Sequence, residues 1–197
     1  MSDSEAEAEE ASSSSAAAAS GRAAPSASAL EQGSALEVTV SLLGATVTVA
    51  QDPRAGGHHA TVWDGARALL ALIDSSPRRA EALRGRRVLE VGAGTGVLGL
   101  ALARALSCTV VLTDLPAALP ALRANAARNY AGARARCEAL EWGAGAARPG
   151  DLSNLFAAEG EGEEVPFDFV IGTDVVFSES LTPLLVATVA AVAARSD

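Results

Sequence analysis

The chain contains no lysine, and arginine supplies all 15 of its basic residues. Acidic residues outnumber them at 24, so the formal net charge is −9. A protein that binds a polyanion usually presents a basic surface, and nucleic acid is therefore not the expected partner. Aromatic residues are scarce as well, at 4% of the sequence, with only two tryptophans. Where those two indole rings fall is therefore informative.

Long hydrophobic runs and a secretory signal are also missing. No apolar segment approaches the roughly 20 residues needed to cross a bilayer, and the N-terminus lacks the charged-then-apolar pattern of a signal peptide. We therefore expect a soluble, intracellular protein with no membrane partner. The two cysteines, Cys108 and Cys137, lie in apolar segments without metal-ligand spacing. They are predicted to be reduced core thiols rather than a disulfide or a metal site.

The length of 197 residues predicts one folded domain, here residues 36–197, preceded by a tail. Residues 1–35 are rich in serine and alanine and carry six acids and one arginine, which predicts a disordered acidic tail. Transit peptides are arginine-rich and poor in acids. Import into an organelle is therefore disfavoured, and the cytoplasm, or else the nucleus, is the expected compartment.

The remaining sequence predicts a hairpin followed by alternating strands and helices. Apolar and polar residues alternate around Gly44, which predicts a β-hairpin over residues 36–50. A loop over 51–60 and a helix over 62–73 follow. Further strands are predicted at 87–92, 109–113, 135–140 and 167–171, further helices at 97–106, 119–129 and 181–194, and a polar loop at 143–166. This order predicts an α/β, doubly wound, Rossmann-like fold with a mostly parallel sheet and helices on both faces.

A glycine-rich turn follows the first strand of the predicted sheet, where the sequence reads Glu90-Val-Gly92-Ala-Gly94-Thr-Gly96. Glycines at such a turn let a ligand approach the backbone, and this position is typical of a nucleotide-type ligand. Gly94-x-Gly96-x-x-Gly99 also satisfies the dinucleotide fingerprint. That register, however, leaves Gly92 and Ala93 unexplained between strand and motif. A dinucleotide-binding enzyme is therefore the less favoured alternative.

Two acids stand at the carboxyl ends of the first two strands of this sheet. Glu90 would be costly to bury unless it meets a donor, such as the ammonium group of a ligand. Asp114 can accept hydrogen bonds from both hydroxyls of a ribose, because ligands of open α/β sheets bind at this edge. The alternative for Asp114 is an N-cap of the helix that starts near Pro116.

With these residues in place, the chain resembles the seven-strand S-adenosylmethionine-dependent methyltransferases. Three further segments narrow the resemblance: VWDGA at 62–66, LEWG at 140–143 and FDFVIGTDVVF at 167–177. Together they resemble the protein-lysine methyltransferases of the methyltransferase-like 21 type, which modify chaperones, an ATPase and translation elongation factors. The match runs in order from about residue 36 to residue 194. Because the family fold has three more strands, the resemblance implies that its last strands are missing from this chain.

The resemblance implies methyl transfer from S-adenosyl-L-methionine to the ε-amine of a lysine in a protein substrate. No metal is expected, because adjacent side chains such as His58 and His59 point to opposite sides of an extended chain and suit a metal site poorly. The implied cofactor-binding residues are Trp63, Glu90, Gly92, Ala93, Gly94, Gly96, Asp114, Trp142 and Thr173. Asp174 and Phe177 correspond to the family's acidic-x-x-aromatic signature and are the implied catalytic residues. Asn125 and Asn129 fall in a helix where the family often carries an asparagine.

Several alternatives stay open at this point. The two tryptophans are either core residues or rings that stack on a purine and face a cationic sulfonium. Asp174 is either a cap of the following helix or a site residue, and His58 and His59 are interpreted as solvated loop residues. A catalytically inactive cofactor- or partner-binding module and a small-molecule methyltransferase remain alternative functions. The sequence does not predict an oligomeric state.

Overall fold

A computed structural model describes residues 36–54, 57–129, 134–143, 152–157 and 164–196. The predicted acidic tail at 1–35 and much of the predicted polar loop at 143–166 lie outside the described residues. Within the described ranges, no helix is long and apolar enough to span a bilayer.

The strands of the described chain form two sheets. The first is an antiparallel hairpin of β1 (Leu36–Leu42) and β2 (Ala45–Gln51). The second is a parallel sheet of β3 (Arg87–Val91), β4 (Thr109–Asp114), β5 (Ala135–Ala139) and β6 (Phe169–Ile171), in the order β5-β4-β3-β6. The predicted α/β class and the N-terminal hairpin are confirmed.

Helices cover both faces of the parallel sheet. They are α1 (Asp64–Asp74), α2 (Pro77–Leu83), α3 (Val97–Leu106), α4 (Leu119–Asn129), α5 (Ser153–Phe156) and α6 (Thr182–Ala193). Side chains of β3 alternate between two cores, as strand geometry requires. Val88 belongs to the core that contains the hairpin, α1, α3 and α4, whereas Leu89 belongs to the core that contains α5 and α6.

The strand order contains a reversal that locates a binding crevice. From β3 the chain moves outward to β4 and then to β5, and it returns to the opposite side of β3 to form β6. Glu90 pairs with Leu112 on one side and with Ile171 on the other. Open α/β sheets bind ligands beyond the carboxyl ends of the strands at such a reversal. The same edge carries the glycine turn and both predicted acids.

Three short elements depart from the predicted pattern. Helix α2 was not predicted, because its sequence PRRAEAL buries only Ala80 and lacks an apolar period. The prediction of a continuous polar loop at 143–166 was wrong, because this segment contains α5, whose Leu155 and Phe156 are buried. The loop at 51–60 contains a single turn of 3-10 helix at His58–Ala60. Elements of three to seven residues are too short to display a helical period.

Candidate functional site

A cavity of about 530 Å³ opens at the carboxyl ends of β3, β4 and β6, within the range of roughly 300 to 1,000 Å³ that is usual for small-molecule sites. The structure brings ten of the eleven predicted site residues to its lining: Trp63, Glu90, Gly92, Ala93, Gly94, Asp114, Trp142, Thr173, Asp174 and Phe177. These residues come from distant parts of the chain. Their convergence is what a single binding site requires.

Gly96 does not line this cavity, contrary to the prediction. It has a left-handed backbone, with φ of +78°, and it is the N-cap of α3. A Cβ at this position would lie 2.6 Å from Cδ1 of Leu122 on α4. The left-handed backbone, together with the packing of Leu122, therefore accounts for a glycine here, which sequence spacing alone could not separate from ligand contact.

The glycine turn is fastened to the end of β4. The backbone N–H of Ala93 donates to the carbonyl of Thr113 at 2.9 Å, and the N–H of Gly94 donates to Oδ2 of Asp114 at 2.7 Å. Gly92 has a left-handed backbone with φ of +64°, and a Cβ there would lie 2.8 Å from Cγ1 of Val175. The turn therefore exposes bare backbone to the cavity, which a ligand can approach closely.

Asp114 fixes the turn and still has acceptor capacity. Its Oδ1 accepts from the N–H of Leu115 at 2.7 Å, while Oδ2 serves Gly94. The alternative that it caps the next helix is wrong, because α4 begins five residues later, at Leu119. Each carboxylate oxygen has a second lone pair. Asp114 can therefore also accept from the hydroxyls of a ligand.

Glu90 is a buried carboxyl group at the base of the cavity, with 3% of its surface exposed. Its Oε2 accepts a hydrogen bond from the N–H of Gly99 at 2.8 Å. The sequence analysis expected a ligand ammonium to donate to Glu90, but the protein backbone already supplies one donor. Burial raises the pKa of Glu90 to about 8; the Gly99 hydrogen bond opposes this shift and the charge of Asp114 adds to it. A Cβ at Gly99 would collide with this carboxyl group.

Four rings form a continuous aromatic wall along the cavity. His58 lies between Trp63, at a centroid distance of 5.9 Å, and Phe177, at 5.2 Å. Phe177 in turn lies 6.1 Å from Trp142. The indole N–H of Trp63 donates to the carbonyl of His58 at 2.8 Å. His58 is exposed, in agreement with its interpretation as a solvated loop residue. Its ring contacts with Trp63 and Phe177 were not predicted, and only its closeness in sequence to Trp63 could have signalled them.

Asp174 lies at the mouth of the cavity in a left-handed conformation, with φ of +57°. It does not cap the following helix, because α6 begins only at Thr182. Its carboxylate lies against Gly65 in the first turn of α1, where a Cβ would collide with it. The positive end of the α1 dipole favours a carboxylate at this position. Left-handed backbone at a residue other than glycine is uncommon and is concentrated at functional sites.

Carboxyl groups outnumber the other ionisable side chains of the lining, and one of them, Glu90, is mostly neutral at pH 7 because its pKa is raised to about 8. Glu90, Asp114, Glu141 and Asp174 face the cavity, and no arginine is found among the described residues that line it. Carboxyl groups attract the cationic part of a ligand. The lining therefore favours a ligand that carries positive charge.

The fold and the site together define a Rossmann-like protein with a cavity of carboxyl groups and aromatic rings at the reversal of strand order. Residues 44–197 match the family model described as lysine methyltransferase. The chain belongs to the lysine methyltransferase family, and the resemblance drawn from its motifs is confirmed.

Named relatives agree with this assignment. The chain is 37% identical over 133 residues to mouse EEF1A lysine methyltransferase 3, which covers 67% of this chain and 50% of that protein. It is 32% identical over 167 residues to zebrafish protein N-lysine methyltransferase METTL21A, covering 83% and 67%. The chain thus spans about half to two thirds of these relatives. A solved S-adenosylmethionine-dependent methyltransferase, SibL, aligns with 26% identity and a TM-score of 0.40 over 59% of this chain and 30% of its own.

Proposed function

We propose that this chain transfers a methyl group from S-adenosyl-L-methionine to the ε-amine of a lysine in a protein substrate. The observation that carries the proposal is the acidic cavity with aromatic walls beside the glycine turn. Both reactants carry positive charge, the cofactor on its sulfonium and ammonium groups and lysine on its ammonium. Carboxyl groups and ring faces are the protein groups that attract such cations.

The residues of the cavity fit this cofactor. The bare backbone at Gly92 and Gly94 leaves room for the methionine part, and Glu90 offers a buried carboxyl group to its ammonium. Asp114 would accept from the ribose hydroxyls. The ring of Trp142, whose Cζ2 lies close to Gly92, would stack on the adenine, while Trp63 would close over the cofactor.

The cofactor supplies a methyl group on a cationic sulfur, and transfer to a neutral lysine nitrogen leaves a thioether and a methylated ammonium. Lysine has a pKa of about 10.4 in water, so the amine must lose its proton to solvent or to a nearby base before it reacts. In this proposal Asp174 attracts and orients the amine, and Phe177 forms a wall of its channel. Together they align the acceptor and exclude water.

The identity of the substrate and the compartment are part of the same proposal. One relative is named for the elongation factor EEF1A, which supports an elongation factor, with a chaperone or an ATPase as alternatives. Cys108 and Cys137 are buried free thiols, which suits a reducing compartment. We therefore propose a cytoplasmic location, with the nucleus as the alternative, and residues 36–197 as the methyltransferase domain.

The experiment that tests the function begins with calorimetric binding of S-adenosylhomocysteine to the purified 197-residue chain. Circular dichroism confirms folding, and Asp114→Ala serves as the control because it removes the carboxylate that would hold the ribose. We expect binding by the wild type and its loss in the variant. Lysate proteins are then incubated with labelled S-adenosylmethionine, and label is expected on lysine.

The possible results separate the alternatives. Absence of S-adenosylhomocysteine binding by the folded wild type would contradict the methyltransferase proposal. Binding without any labelled protein would indicate an inactive cofactor-binding module. Displacement of S-adenosylhomocysteine by a nicotinamide dinucleotide would instead support the dinucleotide enzyme.

His58→Ala should weaken both binding and transfer, because it removes the ring between Trp63 and Phe177. Each aromatic contact is worth about 0.5 to 1.5 kcal/mol, so we expect kcat/KM for methyl transfer to fall by about tenfold. His58→Phe keeps a ring at this position and should retain most of the activity. If both variants lose activity equally, the role of His58 is not that of an aromatic wall.

A further inference from the structure

Two asparagines of α4 occupy the place of a strand along the outer edge of the hairpin. Oδ1 of Asn125 accepts from the N–H of Ala50 at 2.8 Å, and its Nδ2 donates to the carbonyl of Ala50 at 3.0 Å. Asn129 makes the same pair of bonds with Thr48, at 3.0 and 2.8 Å. Thr48 and Ala50 are two residues apart on β2, so their backbone groups point the same way. Side-chain amides thus satisfy an edge that would otherwise lack partners.

Asn125 differs from Asn129 in its third hydrogen bond. Nδ2 of Asn125 also donates to the carbonyl of Thr95 at 3.0 Å, within the glycine turn. Both residues are buried, with 2% of Asn125 and 4% of Thr95 exposed. The third bond of Asn129 goes to the carbonyl of Asn125 on its own helix, at 2.8 Å. Each amide therefore makes three hydrogen bonds, but of the two only Asn125 reaches the turn.

The same strand also holds the aromatic wall. Oε1 of Gln51, the last residue of β2, accepts from the N–H of Val62 at 2.9 Å. The N–H of Asp52 donates to the carbonyl of Ala60 at 2.8 Å. The segment 57–63, which carries His58 and Trp63, is thereby fastened to the end of β2. A shift of β2 would therefore also shift the rings of His58 and Trp63.

We propose that Asn125 is a positioning residue that couples the glycine turn to β2 and, through β2, to the aromatic wall. The inference rests on the proposed function, because it takes the cavity to be the cofactor site. A ligand held between the turn and the wall needs both at a fixed separation, and Asn125 bonds to Thr95 on one side and to Ala50 on the other. Coupling of this kind is reciprocal, so the bound ligand also steadies the hairpin edge at Ala50.

The test compares Asn125→Ala with Asn129→Ala, which removes the same number of hydrogen bonds from the same helix. Thermal unfolding should show similar falls in the midpoint for the two variants. The Kd for S-adenosylhomocysteine, measured calorimetrically, should rise about tenfold in Asn125→Ala, the size typical of coupling through a packed network. In Asn129→Ala it should stay close to the wild-type value. Equal Kd values at matched loss of stability would overturn the coupling and leave a structural role only.

A second measurement uses the wild type, so it does not depend on a variant that folds. Hydrogen exchange is followed with and without saturating S-adenosylhomocysteine. The ligand should slow exchange at Ala50, whose N–H bonds to Asn125, more than at Thr48, whose N–H bonds to Asn129. Equal slowing at both amides overturns the proposal while leaving the function intact. Failure of the folded wild type to bind S-adenosylhomocysteine overturns both.

Discussion

Glu90→Gln is expected to stabilise the ligand-free protein at pH 8 far more than at pH 5. The carboxyl group is buried, and its pKa is raised to about 8 from an ordinary value of 4.5. Glutamine has nearly the same shape and keeps an oxygen that can accept from the N–H of Gly99. It removes the ionisation and leaves the hydrogen bond in place.

The direction follows from proton linkage. In the unfolded chain Glu90 ionises near pH 4.5, but in the fold it stays protonated until about pH 8. Between these pH values the folded state binds more protons than the unfolded state. The free energy of unfolding therefore falls as pH rises. The free energy of unfolding of the wild type, relative to Glu90→Gln, should fall by roughly 3 kcal/mol between pH 5 and pH 8.

Urea unfolding of both proteins at pH 5 and pH 8 measures this quantity. Other titrating groups are common to the two chains, so their contributions cancel in the difference. A difference that stays constant with pH would mean that Glu90 binds protons equally in the folded and unfolded states, so that its pKa is not raised in the fold. With saturating S-adenosylhomocysteine the pH dependence should shrink, because a ligand ammonium beside Glu90 would stabilise its charged form.

Sequence patterns predicted the fold where elements are long or bounded by glycine. Two local patterns correctly predicted their elements: apolar and polar residues alternate in β1 and β2 around Gly44, and α3 starts directly after the glycine turn. Helix α5 carries no such signal, because a four-residue helix is stabilised by burying Phe156 against Phe167, 5.2 Å away between centroids. A contact of that kind joins distant segments. Periodicity within a short window does not report it.

In the candidate site, too, some features were predictable from the sequence and others were not. Gly92 and Asp114 were predicted together because the carboxyl ends of parallel strands share one edge of the sheet, whereas Thr173 was implied by the family resemblance. The position of His58 depends on how the segment 57–63 folds across the cavity, and the partner of Glu90 depends on how closely α3 approaches β3. These are consequences of packing. Sequence motifs therefore predicted the cavity-lining positions better than the contacts that hold them in place.

Asp174→Asn should reduce methyl transfer by about 100-fold or more, the usual cost of removing one preorganised electrostatic group. Asparagine has the same shape and tolerates the left-handed backbone that Asp174 adopts. The side chain of Asp174 makes no hydrogen bond to the described residues, so the substitution breaks no such contact there. What changes is the charge at the cavity mouth, where the lysine ammonium would arrive.

Kinetics and binding measured on the same preparation test this role. The Kd for S-adenosylhomocysteine should change little, because the carboxyl groups that face the cofactor, Glu90 and Asp114, are untouched. Glu179→Gln is the matched control, since it removes an exposed acid nearby in sequence that does not line the cavity, and it should leave transfer unchanged. An equal loss in both variants would indicate a general effect of surface charge on a basic substrate. A loss confined to Asp174→Asn, with cofactor binding preserved, would assign the carboxylate to the acceptor amine.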